Sequence, residues 1–272
     1  MRLLFCGDVV GRSGRTVIIK QIPLLRQILN LDFVCVNGEN SAHGFGITPK
    51  ICDEFFIAGV DVITLGNHTW DRQEIIPYLN SELRILRPCN YPHEMPGRGT
   101  GIYITSCNKK VMVIQVLGRL FMDYSFDNPF VVIENELSNH RLGNTVHAII
   151  LDVHCEASSE KMALGHYFDG RVSLVIGSHS HIPTADAQIL TSGTAYQTDA
   201  GMCGDYNSVI GMEKDVAISH LIHKFPNKRL SPAEKHGTLC AVFVETDDVS
   251  GLAKKIEPVR IGHHLNQTIP IV

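Results

Sequence analysis

Five short apolar runs in this chain each lead into a polar cluster, and that pattern constrains the fold more than any other feature. Leu3-Leu4-Phe5 leads to Asp8, Phe33-Val34-Cys35-Val36 to Glu39-Asn40, and Val62-Ile63-Thr64-Leu65 to Asn67-His68. Ile149-Ile150-Leu151 leads to His154, and Leu174-Val175-Ile176 to His179 and His181. Continuous apolar runs of this length read as strands buried on both faces. Residues 14–30 lie between the first two runs, with Val17, Ile18, Ile22, Leu25, Ile28 and Leu29 at helical spacing. Thr48-Pro49 opens a helix through Phe56, with Thr48 as N-cap and Pro49 at its first position, and Gly59 ends it. A short helix over Asp71 to Leu79 follows the third run. Strand, helix, strand with continuous apolar strands implies an α/β fold with parallel pairing and helices on both sheet faces. In such sheets ligands bind beyond the carboxyl ends of the strands, where the polar clusters lie.

The rest of the chain is read more coarsely. Residues 102–105 and 111–116 flank Cys107-Asn108-Lys109-Lys110 as a hairpin. Residues 119–145 read as a connection and a helix, 146–153 as a strand, 159–168 as a helix and 172–177 as a strand. Residues 187–190 and 194–198 form a second hairpin around Thr191-Ser192-Gly193. A last strand, 239–246, follows a polar loop rich in Lys, Pro and His. There is no repeat and no interdomain linker, so one domain over residues 1–272 is expected.

Composition excludes several classes. The 272 residues are 44% hydrophobic and carry a formal charge of −4, which argues against a broad nucleic-acid-binding face. A phosphate-bearing ligand remains compatible with that charge, since bound metals can supply the positive field. Met1-Arg2 precedes only four apolar residues, too few for a signal peptide core, and no run approaches the roughly 20 residues that span a bilayer. The expectation is a cytoplasmic protein with no membrane partner. The eight cysteines are scattered without a C-x-x-C pair and read as reduced packing residues, Cys6 and Cys155 near the clusters included.

Carboxylates, carboxamides and imidazoles at strand ends are what a pair of hard-to-borderline metal ions requires. Each residue has an ordinary alternative. Asp8 suits a helix start, Asn40 and Asn67 suit turns, and His154 suits a satisfied core position. Any one alone favours that alternative; their joint occurrence favours the metal site. A dinuclear site needs a bridging group, and a carboxylate bridges better than an amide, which selects Glu39. Asp8, Asn40 and one imidazole would complete one ion, and Asn67 with two imidazoles the other. If the chain is extended at His179-x-His181, both rings project to one side. Two carboxylates against two divalent ions leave a net positive site suited to a phosphate anion. A metal-activated water would be the nucleophile. His68 follows Asn67 directly and is placed to protonate a leaving oxygen.

Competing signals are weaker. Gly7, Gly11 and Gly14 lack the dinucleotide-loop spacing, and there is no G-x-S-x-G elbow. His43 reads as a solvated loop residue and His263-His264 as surface. Asp199-Ala200-Gly201-Met202 suits either a pocket wall or a turn.

Gly66-Asn67-His68, His154 and His179-x-His181 resemble the calcineurin-like metallophosphoesterase pattern. More narrowly, the chain is similar nearly end to end to the YmdB-like phosphodiesterases. The matching segments are Phe5-Cys6-Gly7-Asp8-Val9-Val10-Gly11, Asn37-Gly38-Glu39-Asn40, Thr64-Leu65-Gly66-Asn67-His68, Asp152-Val153-His154 and Gly177-Ser178-His179-Ser180-His181. The stretch from Gly193 through Met202 also resembles that family. Val10 stands where the wider superfamily has the His of Asp-x-His, and Gly38-Glu39-Asn40 replaces Gly-Asp. Both departures are those of the narrower family.

The resemblance implies a four-layer α/β/β/α sandwich. It implies one ion on Asp8, Glu39, Asn40 and His181, a second on Glu39, Asn67, His154 and His179, and His68 as proton donor. It also implies iron or manganese, with zinc compatible with the same donors, and hydrolysis of phosphodiesters including 2′,3′-cyclic nucleotides by a metal-bridging hydroxide. Two rivals stand beside that expectation: a phosphomonoesterase or nucleotidase on the same site, and a nucleotide-binding, RNA-related regulatory protein with low turnover. A homo-oligomer is compatible with all three.

Overall fold

The computed structural model describes residues 1–122, 127–223 and 228–272. Its strands are β1 (Arg2–Cys6), β2 (Asp8–Val9), β3 (Phe33–Asn37), β4 (Val62–Thr64), β5 (Ile85–Leu86), β6 (Thr100–Ile104) and β7 (Lys110–Leu117). They continue with β8 (Ala148–His154), β9 (Leu174–Ser178), β10 (Gln188–Ile189), β11 (Ala195–Gln197), β12 (Met202–Asp205), β13 (Gly237–Thr246) and β14 (Ala253–Ile261). The helices are α1 (Gly11–Ile28), α2 (Pro49–Ile57), α3 (Ile75–Ser81), α4 (Pro129–Leu137), α5 (Ser158–Tyr167) and α6 (Lys214–Ile222).

Two sheets form. One runs β2-β12-β13-β1-β3-β4-β5 with β14 on β13, and the other β10-β11-β9-β8-β7-β6. β1, β3, β4 and β5 pair in parallel, as do β7, β8, β9 and β11. Antiparallel strands close the flanks: β13 on β1, β6 on β7 and β10 on β11.

Alternation along the strands sorts the side chains into three cores. Leu3 and Phe5 of β1, Phe33 and Cys35 of β3, Val111 and Val113 of β7, and Ala148 and Ile150 of β8 pack between the sheets. Their neighbours Leu4, Cys6, Val34 and Val36 face α1 and α2. On the far side, Met112, Ile114, Ile149 and Leu151 face Ile133 of α4 and Leu164 of α5. The layers are therefore helix, sheet, sheet, helix. The expectation of helices on both faces of one sheet is corrected: each sheet has helices on one face and the other sheet on its second. An apolar run buried on both faces has the same composition whichever element covers it.

The capping signals hold. Thr48 accepts a hydrogen bond from Ile51 N at 3.3 Å, Pro49 opens α2, and Gly59 follows at φ 97°. Both hairpins form, with Asn108 at φ 59° in the first turn. The strand carrying the first apolar run ends at Cys6, and Asp8 stands on a separate strand, β2, which pairs with β12. The short helix starts at Ile75, not Asp71. Strand 239–246 is not the last: β14 lies beyond it, half-exposed, with Pro258 inside it. Proline and alternating charge hide an edge strand from a search for apolar runs. Parts of the predicted connection and of the polar loop, residues 123–126 and 224–227, lie outside the described residues. No helix among the described residues is long and apolar enough to cross a membrane.

Phe5 is fully buried between the sheets. Phe5→Ala is expected to cost about 3–5 kcal/mol in urea unfolding, and Ile57→Ala, on the exposed face of α2, within about 0.5 kcal/mol. A cost for Phe5→Ala as small as that of the surface change would contradict a shared inter-sheet core.

Candidate metal centre

The core between the sheets changes character at the carboxyl ends of its strands. The inward-facing positions that begin apolar end polar: Asn37 after Phe33 and Cys35, Gln115 after Val111 and Val113, Asp152 and His154 after Ile150, and Ser178 after Ile176. All five are fully buried. Strand register sets Gln115 beside Asp152 and His154 beside Ser178. Buried polar groups must be hydrogen-bonded, and these bond to one another and across the gap. Gln115 Oε1 accepts from Leu65 N of the opposite sheet at 2.9 Å, and its amide nitrogen donates to Leu65 O and to Asp152 Oδ2. Asn37 Nδ2 donates to Leu65 O at 3.0 Å, and its Oδ1 accepts from Glu39 N.

This layer fixes His154. Ser178 Oγ donates to Asp152 Oδ1 at 2.7 Å, so it accepts from His154 Nδ1 at 2.9 Å. That tautomer frees Nε2 as a ligand. Glu39 Oε1, Asn67 Oδ1 and His179 Nδ1 each lie 3.1 Å from His154 Nε2. One N–H cannot serve three neighbours. Ligand atoms at 2.0–2.2 Å from one ion, however, stand roughly 3 Å apart in adjacent positions. Gly66 permits this convergence: a Cβ there would lie 2.2 Å from Glu39 Oε2 and 2.5 Å from His154 Nε2.

A second group adjoins it. Asp8 is fully buried; its Oδ2 accepts from His179 N at 3.1 Å, and its Oδ1, 3.8 Å from His154 Nδ1, has no hydrogen-bond partner among the described residues. Asn40 Nδ2 donates to Gly44 O at 3.1 Å, which leaves its buried Oδ1 unpartnered too. Two orphaned buried oxygens, one of them a carboxylate's, are costly without a cation. His181 Nδ1 donates to Ile210 O at 2.7 Å, leaving Nε2 as its ligand atom. His179 Nε2 lies 3.3 Å from Glu156 Oε2. Each of the three imidazoles thus has one nitrogen held by an outer partner, the usual arrangement around a metal-binding histidine. The donors present fit two ions held by oxygen and nitrogen.

Charge supports the same reading. Burial would raise the Glu39 carboxyl, but His154 overrides it and holds it down to about 2. Burial would lower the His154 imidazole, but Glu39 and Asp8 raise it to about 9. Burial pushes Asp8 up to about 6, with His181 and His154 opposing. Burial and the charge of His154 press His179 down to about 3. A protonated His154 supplies positive charge that cations would otherwise bring.

The extended conformation expected for His179-x-His181 does not occur. β9 stops at Ser178, and His179 and His181 sit at φ 97° and 65°. Left-handed backbone, not strand alternation, aims the rings. Such residues persist only where the surroundings hold them. The holder is Asp199: its Oδ2 accepts from Ser180 N at 3.1 Å and Lys161 Nζ at 2.7 Å, and its Oδ1 from Gly201 N at 2.8 Å. Asp199 and Lys161 are both buried.

His68 stands apart from the ligands. Its backbone N donates to Glu39 Oε2 at 3.1 Å, its Nδ1 lies 2.8 Å from Asp71 Oδ2, and its ring meets Phe45 edge-on at 5.1 Å. Nε2 is left free on a partly exposed ring. All eight residues singled out from the sequence therefore lie in one neighbourhood. Cys6 and Cys155 are buried, and burial pushes the Cys155 thiol up. His43 and His263 are exposed, the latter's ring tilted against that of His236 with centroids 4.4 Å apart. Sequence reasoning missed Gln115, Asp152, Ser178, Asp71 and Lys161. A polar residue at an inward position of an apolar strand was the available signal for the first two.

The profile of the YmdB-like protein family matches residues 4–259. The 2′,3′-cyclic-nucleotide 2′-phosphodiesterase of Bacillus subtilis is 42% identical over 262 residues, covering 96% of this chain and 97% of that one. A solved phosphatase structure from Mycoplasma pneumoniae superposes with a TM-score of 0.88 at 31% identity, over 96% of this chain and 93% of that one. The calcineurin-like phosphoesterase YfkN of Bacillus subtilis, at 13% identity and TM-score 0.56 over 96% and 90%, shares the fold.

Ser178→Ala removes the hydroxyl that orients His154 and is expected to weaken metal binding by about 10–100-fold. Metal titration followed by calorimetry reads the change, with circular dichroism as the check on folding. Unchanged affinity would mean that the Asp152–Ser178–His154 chain does not set the ligand.

Proposed function

The chain belongs to the YmdB-like family, and from that membership and the site geometry we propose a dinuclear metal-dependent phosphodiesterase acting on cyclic nucleotides of the 2′,3′ type. The coarser statement, a phosphoester hydrolase of calcineurin-like fold, follows from the relatives. One observation carries the finer reading: three potential ligand atoms surround His154 Nε2, beside two buried oxygens, on Asp8 and Asn40, that have no hydrogen-bond partner among the described residues.

In this reading Asp8, Glu39, Asn40 and His181 hold one ion, and Glu39, Asn67, His154 and His179 the other. Iron or manganese fits these donors, and zinc is compatible with them. The ions would supply Lewis-acid charge and an activated water nucleophile. The protein's own part is electrostatic and positional. Two carboxylates leave the loaded site with net positive charge, which draws in a phosphodiester anion. Asp71 holds His68 at Nδ1 so that Nε2 faces outward as the proton donor. If the bond broken is the one named for the Bacillus subtilis relative, the oxygen it protonates is ribose O2′. Phe45 limits the ring's rotation from one side.

The test joins metal analysis of the purified protein to an activity panel of 2′,3′-cyclic nucleotides, bis-nitrophenyl phosphate and phosphomonoesters. Cyclic nucleotides are expected to turn over fastest, and phosphomonoesters turning over fastest would replace this reading with a phosphatase. Asp8→Ala and Glu39→Gln are expected to lose metal and activity together. His68→Ala is expected to keep its metal and lose about 10²–10⁴-fold in kcat. Hydrolysis that persists in Glu39→Gln after metal removal would defeat the mechanism.

A further inference from the structure

A cleft of ≈ 410 Å³ lies between α1 and α2, lined by Arg12, Arg15, Ile19, His43, Lys50 and Glu54 among others. Topology places it at the active-site edge. α1 begins directly after β2, and α2 follows the loop leaving β3, so both helix starts stand at the carboxyl ends of the strands, as do Asp8 and Glu39. The loop between them is shared. Ala42 and His43 line the cleft, while Phe45 of the same loop touches His68. Arg72 fixes this loop by donating to Ala42 O at 2.6 Å and Phe45 O at 3.0 Å. His43 is three residues from Asn40, a span of at most about 11 Å.

Two of the cations in this cleft, Arg15 and Lys50, make no ion pair among the described residues that would serve the fold. Neither α1 nor α2 has an acidic residue in its first turn; Arg12 and Lys50 stand there instead, at the end where the helix dipole disfavours cations. Arg12 is engaged by Glu234 Oε2 at 2.6 Å. Among the described residues Arg15 and Lys50 have no ion-pair partner, and Glu54 is the one acid lining the cleft. In a chain of net charge −4, two unpaired cations facing one cleft beside a phosphoester site mark a place for a second phosphate. The apolar lining is Ile19, Ala42 and Ile51, and the one ring is the exposed imidazole of His43, with no Phe, Tyr or Trp for a base to stack on. Contacts here would read backbone, not bases.

We propose that this cleft docks an internucleotide phosphate upstream of the reacting end, so that the preferred substrate is a short single-stranded RNA ending in a 2′,3′-cyclic phosphate. The inference rests on the phosphodiesterase reading and names its substrate class. A 5′-phosphate on a cyclic mononucleotide has the same chemistry, so the experiment includes both sources.

Metal-loaded protein is assayed on a cyclic mononucleotide, its 5′-phosphorylated form, and a trinucleotide with a 5′-hydroxyl and a cyclic phosphate end. The trinucleotide is expected to show a kcat/KM about tenfold above the plain mononucleotide, lost through KM in Arg15→Ala/Lys50→Ala, while the plain mononucleotide stays within about twofold. The log–log salt slope of that advantage is expected near −0.7, for one phosphate contact on a single strand. No dependence on length, or an equal loss on all substrates, overturns the proposal. A 5′-phosphorylated mononucleotide that matches the trinucleotide overturns the RNA assignment. Binding of a fluorescent trinucleotide ending in a 3′-phosphate to metal-free protein provides a readout independent of turnover, with the double variant expected to bind about tenfold more weakly. If no cyclic nucleotide is hydrolysed but this binding behaves as expected, the phosphodiesterase reading fails and the cleft stands. If hydrolysis is normal and this binding is unaffected by the double variant, the cleft proposal alone fails.

Discussion

The structure depends on a buried polar layer where two sheets meet at their carboxyl ends. Asn37, Gln115, Asp152, His154 and Ser178 occupy positions whose upstream neighbours on the same strands form a dry core. One sheet reaches into the other there, through Gln115 to the backbone of Leu65. A half-satisfied polar layer at this depth would be worse than an apolar one. This one is satisfied except at its upper edge, where the unpartnered oxygens of Asp8 and Asn40 face the same neighbourhood as the imidazoles. A cation there would answer both oxygens at once.

Much of this was legible in the sequence because strand ends and apolar runs are local signals. The eight candidate residues were found from position alone, and the helix caps at Thr48 and Pro49 from residue chemistry. What was not legible depended on partners distant along the chain. Whether a doubly buried strand faces a helix or a second sheet is not written in its own composition, so the layering came from resemblance and not from periodicity. Pro258 concealed β14, since a proline is tolerated on an edge that only the assembled sheet defines. The left-handed backbone at His179 and His181 was hidden for a similar reason. Histidine does not announce a positive φ; Asp199, about twenty positions away, imposes it.

The placement of strain against rigidity follows from the same layout. Two candidate ligands sit in an unfavourable backbone region, at a cost of order 1–3 kcal/mol each. The offset is local: an aspartate with both oxygens engaged, a buried lysine beneath it, and a carboxylate on His179 N. Gly177 permits the close packing, because a Cβ there would meet Thr198 O at 1.8 Å and Lys161 Cδ at 2.7 Å. A buried ion pair is weak evidence for stability, and its better-attested use is to specify one geometry. Lys161–Asp199 fits that use, since what it specifies is the position of two imidazoles and not the packing of a core.

This arrangement makes the geometry of the candidate ligands a property of the polypeptide. The three imidazoles are oriented by Ser178, Glu156 and Ile210 O, and Asn40 by Gly44 O, none of which needs an ion to be in place. The three apolar cores are built from other residues. The apolar cores therefore do not include the candidate ligands, unlike in small domains whose core is the metal itself. His68 is tied to the candidate site through its backbone N, which donates to Glu39, and to Asp71 through its ring. The fold thus sets the ring's orientation while its Nε2 makes no hydrogen bond among the described residues, an arrangement that suits the proton transfer proposed for it.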